Sequence, residues 1–193
     1  LLAIAKGVRG KIIRVGNLMS RNSDGEFQAN SLTNGFMRMV RGYVSVGKFA
    51  VSGMDGDAEF SPIDSTAEAV LKLAGTNDEF TVFHAYNSHV VQMADVIAVL
   101  DKEVSSIGVV SDEEFEKALL AALDDKDKAP LLSGLLSYLS SDTEHSITMI
   151  DTDNRFTTKI LYRLGYSWPI TDKAYLSHAF QKLKEMGYFE KLD

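Results

Sequence analysis

The sequence predicts an α/β fold with a helical C-terminal lobe, and three observations carry that prediction. Two short, nearly all-apolar runs, residues 11–15 and 80–84, are separated by segments with helical spacing. Strands that are apolar on both faces and are joined through helices suit a parallel sheet covered on both sides. From residue 104 onward the pattern turns almost wholly helical and leucine-rich. With 193 residues and 45% hydrophobic residues the chain can bury one good core.

Taken in order, residues 1–6 read as the last turns of a helix closed by Gly7. Residues 11–15 form the first strand, where β-branched Ile12, Ile13 and Val15 sit between Gly10 and Gly16. The run breaks at Gly16-Asn17 into a polar loop with a turn signal at Ser23-Asp24-Gly25. Asn30 or Ser31 is the expected cap of the next helix, whose apolar face is Phe36, Met37, Val40 and Tyr43, fading at Gly42 and Gly47. Residues 51–57 read as a loop. Asp64 is the expected N-cap of a helix with an apolar stripe of Ala67, Val70, Leu71 and Ala74, ended by Gly75.

The second strand, residues 80–84, precedes a helix expected over 90–100. Residues 107–110 form a short extended piece. Ser111 with Glu114 is a capping box before Phe115, Leu119, Leu120 and Leu123. Pro130 opens a helix to Leu139. Helices follow over 157–164, stopped by Gly165, and over 172–186, ended by Gly187. This divides the chain into an α/β part, 1–103, and a helical lobe, 104–193.

The net charge of −7 is uneven. Residues 1–50 hold eight basic residues against Asp24 and Glu26, or +6, which leaves −13 for the rest. A globally acidic chain argues against nucleic-acid binding, while the basic start suits a phosphate-bearing ligand. Cysteine is absent, which removes disulfides, thiolate catalysis and Cys-ligated zinc. No apolar run approaches the roughly 20 residues needed to span a bilayer. The chain is therefore expected to be cytoplasmic, with no membrane partner. Its apolar opening reads as a cut helix rather than a signal peptide.

Ligands of open α/β sheets sit beyond the carboxyl ends of strands, where Arg14 and Asn17 lie, although an ordinary strand and turn explains the same residues. His84 and His89 are five apart across a strand end and are not a helical metal pair, so no metal site is expected. Asp112-Glu113-Glu114 reads as first-turn charge against the helix dipole. Trp168 is an expected core anchor. No G-x-G-x-x-G or G-x-x-G-x-x-G occurs, and none of the seven tyrosines is followed four residues later by lysine.

The words of residues 14–28, RVGNLMSRNSDGEFQ, then TNGFMR at 33–38, FSPIDSTAEAVLKLAG at 60–75, FTVFHAYN at 80–87 and LGYSWP at 164–169, are more specific. In this order they resemble the terminal thioester reductase domain of nonribosomal peptide synthetases, within the extended short-chain dehydrogenase/reductases. The resemblance covers essentially the whole chain, but only the part of the family domain that follows the catalytic tyrosine and lysine. It implies the C-terminal portion of a Rossmann-like fold with few parallel strands. It also implies that the cofactor glycines and the Tyr/Lys pair lie upstream of Leu1, so that this chain alone is inactive and binds NADPH weakly or not at all.

By the same resemblance Val15, Gly16, Asn17 and Leu18 pass the nicotinamide of NADPH, chiefly through backbone. Arg14, Ser20, Arg21, Phe27 and Gln28 line the substrate pocket. The implied partners are a peptidyl or acyl carrier protein with its phosphopantetheine arm, and upstream synthetase modules. Asn17 as a mere turn residue and Gln28 as a mere helix cap remain open alternatives. Arg38 and Arg41 share a helix face and are candidates for carrier docking, or else they pair with the chain's own acidic lobe. A missing sheet neighbour beside residues 11–15 would favour self-association. The other class of function left open is a non-catalytic helical interaction domain.

Overall fold

The computed structural model describes residues 2–27, 31–144 and 152–190. Its elements are α1 (Leu2–Ala5), β1 (Ile12–Val15), β2 (Leu18–Met19), α2 (Gly35–Val46), β3 (Lys48–Ala50), β4 (Asp57–Glu59), β5 (Ser61–Pro62) and α3 (Ile63–Ala74). They continue with β6 (Val82–Ala85), β7 (Val90–Gln92), α4 (Met93–Glu103), β8 (Gly108–Val110), α5 (Asp112–Asp124), α6 (Ser133–Glu144), α7 (Arg155–Arg163) and α8 (Lys173–Glu185). The mixed α/β class is as expected. None of the described helices is long and apolar enough to cross a membrane.

β1 and β6 pair in parallel, Ile12 beside Val82 through Val15 beside Ala85. Among the described residues no third strand joins them. β2 with β5 and β3 with β8 make two further short parallel pairs, and β4 with β7 an antiparallel one. β4 begins in the stretch expected as a loop, β7 falls where a helix was expected, and β3 lies in residues for which no element was expected. Strands of three residues are too short to show a period of two, so only their pairing reveals them.

Capping accounts for the helix starts. Ser111 accepts the Glu114 N–H, as the capping pattern predicts, and Asp172, expected only as the first residue of its helix, caps it by accepting from Ala174 and Tyr175. Two caps differ from expectation. Helix α2 is capped by Asn34, whose side chain accepts the Met37 N–H, rather than by Asn30 or Ser31. Ser31 instead opens a short 3-10 turn, and Asn30 lies outside the described residues. Asp64 stands inside the first turn of α3, after Pro62. There it is free to accept the backbone N–H groups of Asn22 (2.9 Å) and Ser23 (3.1 Å) from the loop after β2, with its neighbour Ser65 (2.9 Å). Burial works to raise the Asp64 carboxyl, but these hydrogen bonds together outweigh it and hold it below its usual value.

The apolar stripe of α3 is also turned. Thr66, Ala69 and Leu73 are buried, and Leu71 is 75% exposed. Apolar residues occur on more than one side of this helix, so spacing alone does not select a face. Packing against β6 and α7 does.

The main core gathers around α2, α4 and α8, with Met37, Val40, Phe60, Leu100 and Phe180 all fully buried. α6 packs chiefly on α2 and α8 on α4, so the later helices share this core with the earlier ones. Gly42 lies mid-helix at that contact rather than at a fading end. A Cβ there would stand 2.5 Å from Leu135 Cβ, so the glycine is what lets α6 approach. A second cluster lies between α3, β6 and α7, where Trp168 is buried edge-on to Tyr166, with 5.4 Å between ring centroids.

Candidate functional site

β1 and β6 end side by side, and a cleft of about 760 Å³ opens beyond their carboxyl ends. Arg14, Val15, Gly16 and Asn17 line one side, and His84, Tyr86, Asp57 and Glu59 line much of the remainder. The strip read from the end of the first strand is therefore brought to a cleft. The other wall comes from β4 and the end of β6, which the sequence did not single out.

Glu59 organises that wall. One carboxylate oxygen, Oε2, accepts the backbone N–H of Asn17 at 2.7 Å. The other accepts the Ser61 hydroxyl and, at 3.3 Å, the Asn87 N–H. The Asn17 carbonyl in turn accepts the Ser61 N–H at 2.9 Å. Gly16 is pressed against this arrangement. A Cβ at that position would stand 2.3 Å from Glu59 Oε2 and 2.6 Å from Tyr86 Cβ, so only glycine fits without displacement.

Burial pushes the Glu59 carboxyl up, and its hydrogen bonds to Ser61, Asn17 and Asn87 only partly offset this. A carboxyl raised in the folded state gives stability that is fully present below its ordinary value of 4.5. That stability is lost as pH rises through the folded-state value. Glutamine is the shape of the protonated acid, accepting from Asn17 and donating to Ser61. Glu59→Gln is therefore expected to match the parent at low pH and to gain on it progressively above 4.5, read as urea midpoints across pH. A difference that does not change with pH would show that this carboxyl does not titrate on folding.

The far side of the cleft is held by the segment before α7. The Tyr86 hydroxyl donates to the Thr152 carbonyl, and Asn154 Nδ2 donates to the Tyr86 carbonyl at 2.8 Å. The His84 N–H donates to Thr157 Oγ1 at 2.9 Å, which makes His84 a hydrogen-bonded strand residue at the cleft. Hydrogen bonds from Arg155, through its side chain first and then its backbone N–H, pull the nearby Asp153 down to about 2.

The remaining expected site residues fall elsewhere. Leu18 lies in β2 and its carbonyl accepts Asn34 Nδ2 at 3.3 Å. Ser20 is fully buried, and its carbonyl accepts the Tyr175 hydroxyl at 2.8 Å. Arg21 forks onto both carboxylate oxygens of Asp24, at 2.9 and 2.7 Å, and also meets Glu26. Its charge is spent inside its own loop. Phe27 belongs to the main core. Of the residues read as the substrate wall, Arg14 alone is placed at the cleft, and Gln28 lies outside the described residues. Arg38 donates to Ser133 Oγ at 2.7 Å, and Arg41 is wholly buried with its guanidinium 5.5 Å from the Tyr188 ring centroid. A residue with no exposed surface cannot present charge to a carrier, so the paired docking face is not there.

No family model matches the sequence, and a search of curated proteins found no match. Solved structures do resemble it. One is a thiolation-reductase di-domain from an archaeal nonribosomal peptide synthetase, 32% identical with a TM-score of 0.79, matched over 98% of this chain and 39% of that one. Another is the reductase domain of the aureusimine biosynthetic cluster, 24% identical with a TM-score of 0.76, over 96% of this chain and 47% of that one. The terminal reductase domain of the myxalamid polyketide–nonribosomal peptide pathway superposes with a TM-score of 0.80 at 19% identity, over 100% of this chain and 48% of that one. The last two show the fold alone. The chain spans less than half the length of each of these relatives.

Proposed function

We propose, from the premise that this chain belongs to the family of terminal reductase domains of nonribosomal peptide synthetases as their C-terminal part, that it is the substrate side of an NADPH-dependent thioester reductase. The reaction would release a carrier-bound peptidyl or aminoacyl thioester as an aldehyde, or as an alcohol after a second reduction. The single observation that supports it most is the cleft at the carboxyl ends of β1 and β6, walled on one side by residues 14–17.

The described residues at the cleft suit part of the nicotinamide. Val15 is exposed at the cleft, and the peptide groups of residues 15–17 run along its edge. An apolar side chain beside peptide groups fits the ring face and carboxamide. When bound, NADPH supplies the hydride for the thioester carbonyl. The glycines that cradle the phosphates and the tyrosine–lysine pair are not among these residues. In this reading those roles fall to the part of the domain that the chain does not contain.

This chain's own contribution is positional. Glu59 fixes the Gly16-Asn17 peptide by accepting the Asn17 N–H, and Tyr86 packs against Gly16 beside it. Arg14, exposed at the cleft, offers its guanidinium to the phosphate of the phosphopantetheine arm. Residues 1–103 then supply the reductase wall and 104–193 the helices that face the carrier protein.

Backbone NMR titration with an acyl-pantetheine 4′-phosphate thioester tests the reading. The amides of residues 15–18 and Tyr86 are expected to shift, and Arg14→Ala to weaken binding roughly tenfold, equivalent to about 1.4 kcal/mol. NADPH alone is expected to show no sub-micromolar site by calorimetry. Shifts confined to other surfaces, or tight NADPH binding by this chain, would overturn the assignment.

A further inference from the structure

A second cavity, of about 460 Å³, lies between α2, β3, the start of α4, α5 and α6. Its size is that of a small-molecule pocket, which typically falls between about 300 and 1,000 Å³. Met39, Tyr43, Phe49, Met93 and Phe115 form its buried wall. The rings are locked to one another, Tyr43 to Phe49 at 4.7 Å and Tyr43 to Phe115 at 5.9 Å between centroids. The polar residues at the cavity include two carboxylates, Asp57 and Asp112, and none of its lining residues is basic. Asp112 is already engaged by the Ser52 N–H and hydroxyl, the latter at 2.8 Å. Asp57 is exposed, and it also lines the cleft beyond β1 and β6.

That shared residue gives the two cavities an order. An α-aminoacyl thioester has one carbon carrying its carbonyl, its amine and its side chain. A thioester carbonyl in the first cleft and an apolar side chain in the second would leave the amine at the seam, where Asp57 stands. An anionic group in the aromatic cavity would meet Asp57 and Asp112 and no basic lining residue.

We propose that the aromatic cavity is the side-chain pocket for an apolar, amine-bearing acyl group, with Asp57 at the seam taking the protonated amine. This rests on the reading of the chain as part of a thioester reductase and names the class of acyl group that such an enzyme would accept. An aromatic or long aliphatic side chain fills the space, and methionine and aromatic walls adapt to either.

The test uses the chain itself and no cofactor. L-phenylalaninamide, L-alaninamide and N-acetyl-L-phenylalaninamide are titrated against it by amide NMR. Phenylalaninamide is expected to shift Phe49, Ala50 and Phe115, and to bind about tenfold or more tighter than alaninamide, as an aromatic anchor should. Acetylation of the amine is expected to weaken binding about fivefold, the loss of one exposed charge pair. Ala50→Phe, which fills the cavity from β3, abolishes the shifts. Asp57→Asn, at an exposed position, removes the preference for the free amine and keeps the preference for phenylalanine.

Binding that is equal for all three amides overturns the proposal, as do shifts away from the cavity. So does an Asp57→Asn variant that still discriminates the amine, and that arm stands even if Ala50→Phe fails to fold. Because no reduction is measured, a complete domain that fails to reduce thioesters would sink the functional reading and leave this pocket intact. A complete domain that reduces them with no side-chain preference, and with Ala50→Phe unaffected, would sink the pocket and leave the reading intact.

Discussion

Arg41→Glu is expected to bring the chain to the edge of unfolding, with a loss of roughly 3–5 kcal/mol against a typical total of about 5–15. Arg41 sits in α2 with no exposed surface, and its guanidinium faces the Tyr188 ring at 5.5 Å. The substitution puts a shorter side chain of opposite charge against a ring face that repels anions, and it abandons the packing of the arginine stem. Arg41→Met, which keeps the stem and drops the charge, should cost less than the reversal. Arg38→Glu should cost roughly 1 kcal/mol, since that side chain is half-buried and loses one hydrogen bond to Ser133. Urea midpoints by circular dichroism rank the three. An Arg41→Glu chain that melts like the parent, while carrier-dependent reduction by the complete domain slows, would restore the docking role.

Charge on a helix face says where two side chains point relative to each other, and nothing about what covers them. That is why Arg38 and Arg41 read as a pair from their spacing yet meet different surroundings. The same limit explains Arg21 and Phe27. One is consumed by Asp24 and Glu26 within five residues, and the other turns inward beneath the loop that looked like a pocket lip. What local pattern does determine was legible. The two strands pair in parallel, Ser111 caps its helix, and Gly47, Gly165 and Gly187 take the left-handed conformation at helix ends. That Arg14 and Asn17 lie at a strand end was legible, because it depends only on where the strand stops.

Glu59 was not legible, because its partners Asn17 and Asn87 lie 42 and 28 residues away. The signal that existed was a carboxylate set between apolar Ala58 and Phe60, both of which turn out to be buried. A carboxylate with apolar residues on both sides is worth asking about, since burying one requires donors from elsewhere in the chain.

Asn87→Ala is expected to be the most damaging truncation of an uncharged side chain near the cleft, costing roughly 2–4 kcal/mol, because several buried groups lose their partner at once. Asn87 is fully buried. Its Nδ2 donates to the carbonyls of Phe60 at 3.0 Å and Pro169 at 3.1 Å, with Thr171 Oγ1 at 3.4 Å, and its Oδ1 accepts the His89 N–H at 3.0 Å. One side chain thus ties the link between β4 and β5, the loop after β6 and the segment leading into α8. The Asn87 N–H also donates to Ser61 Oγ at 2.9 Å, which connects the staple to Glu59 and so to Gly16 and Asn17. Asn87→Asp separates shape from chemistry. Aspartate keeps the acceptor for His89 but turns an anion toward two carbonyls, so it should be worse than alanine at neutral pH. In acid, where the protonated carboxyl can donate to one carbonyl, it should recover. Hydrogen exchange at the His89 amide and melting curves at two pH values read both effects. If Asn87→Ala melts like the parent with that amide still protected, the cleft wall is held by Glu59 and the strand pair alone, and Asn87 is not its staple.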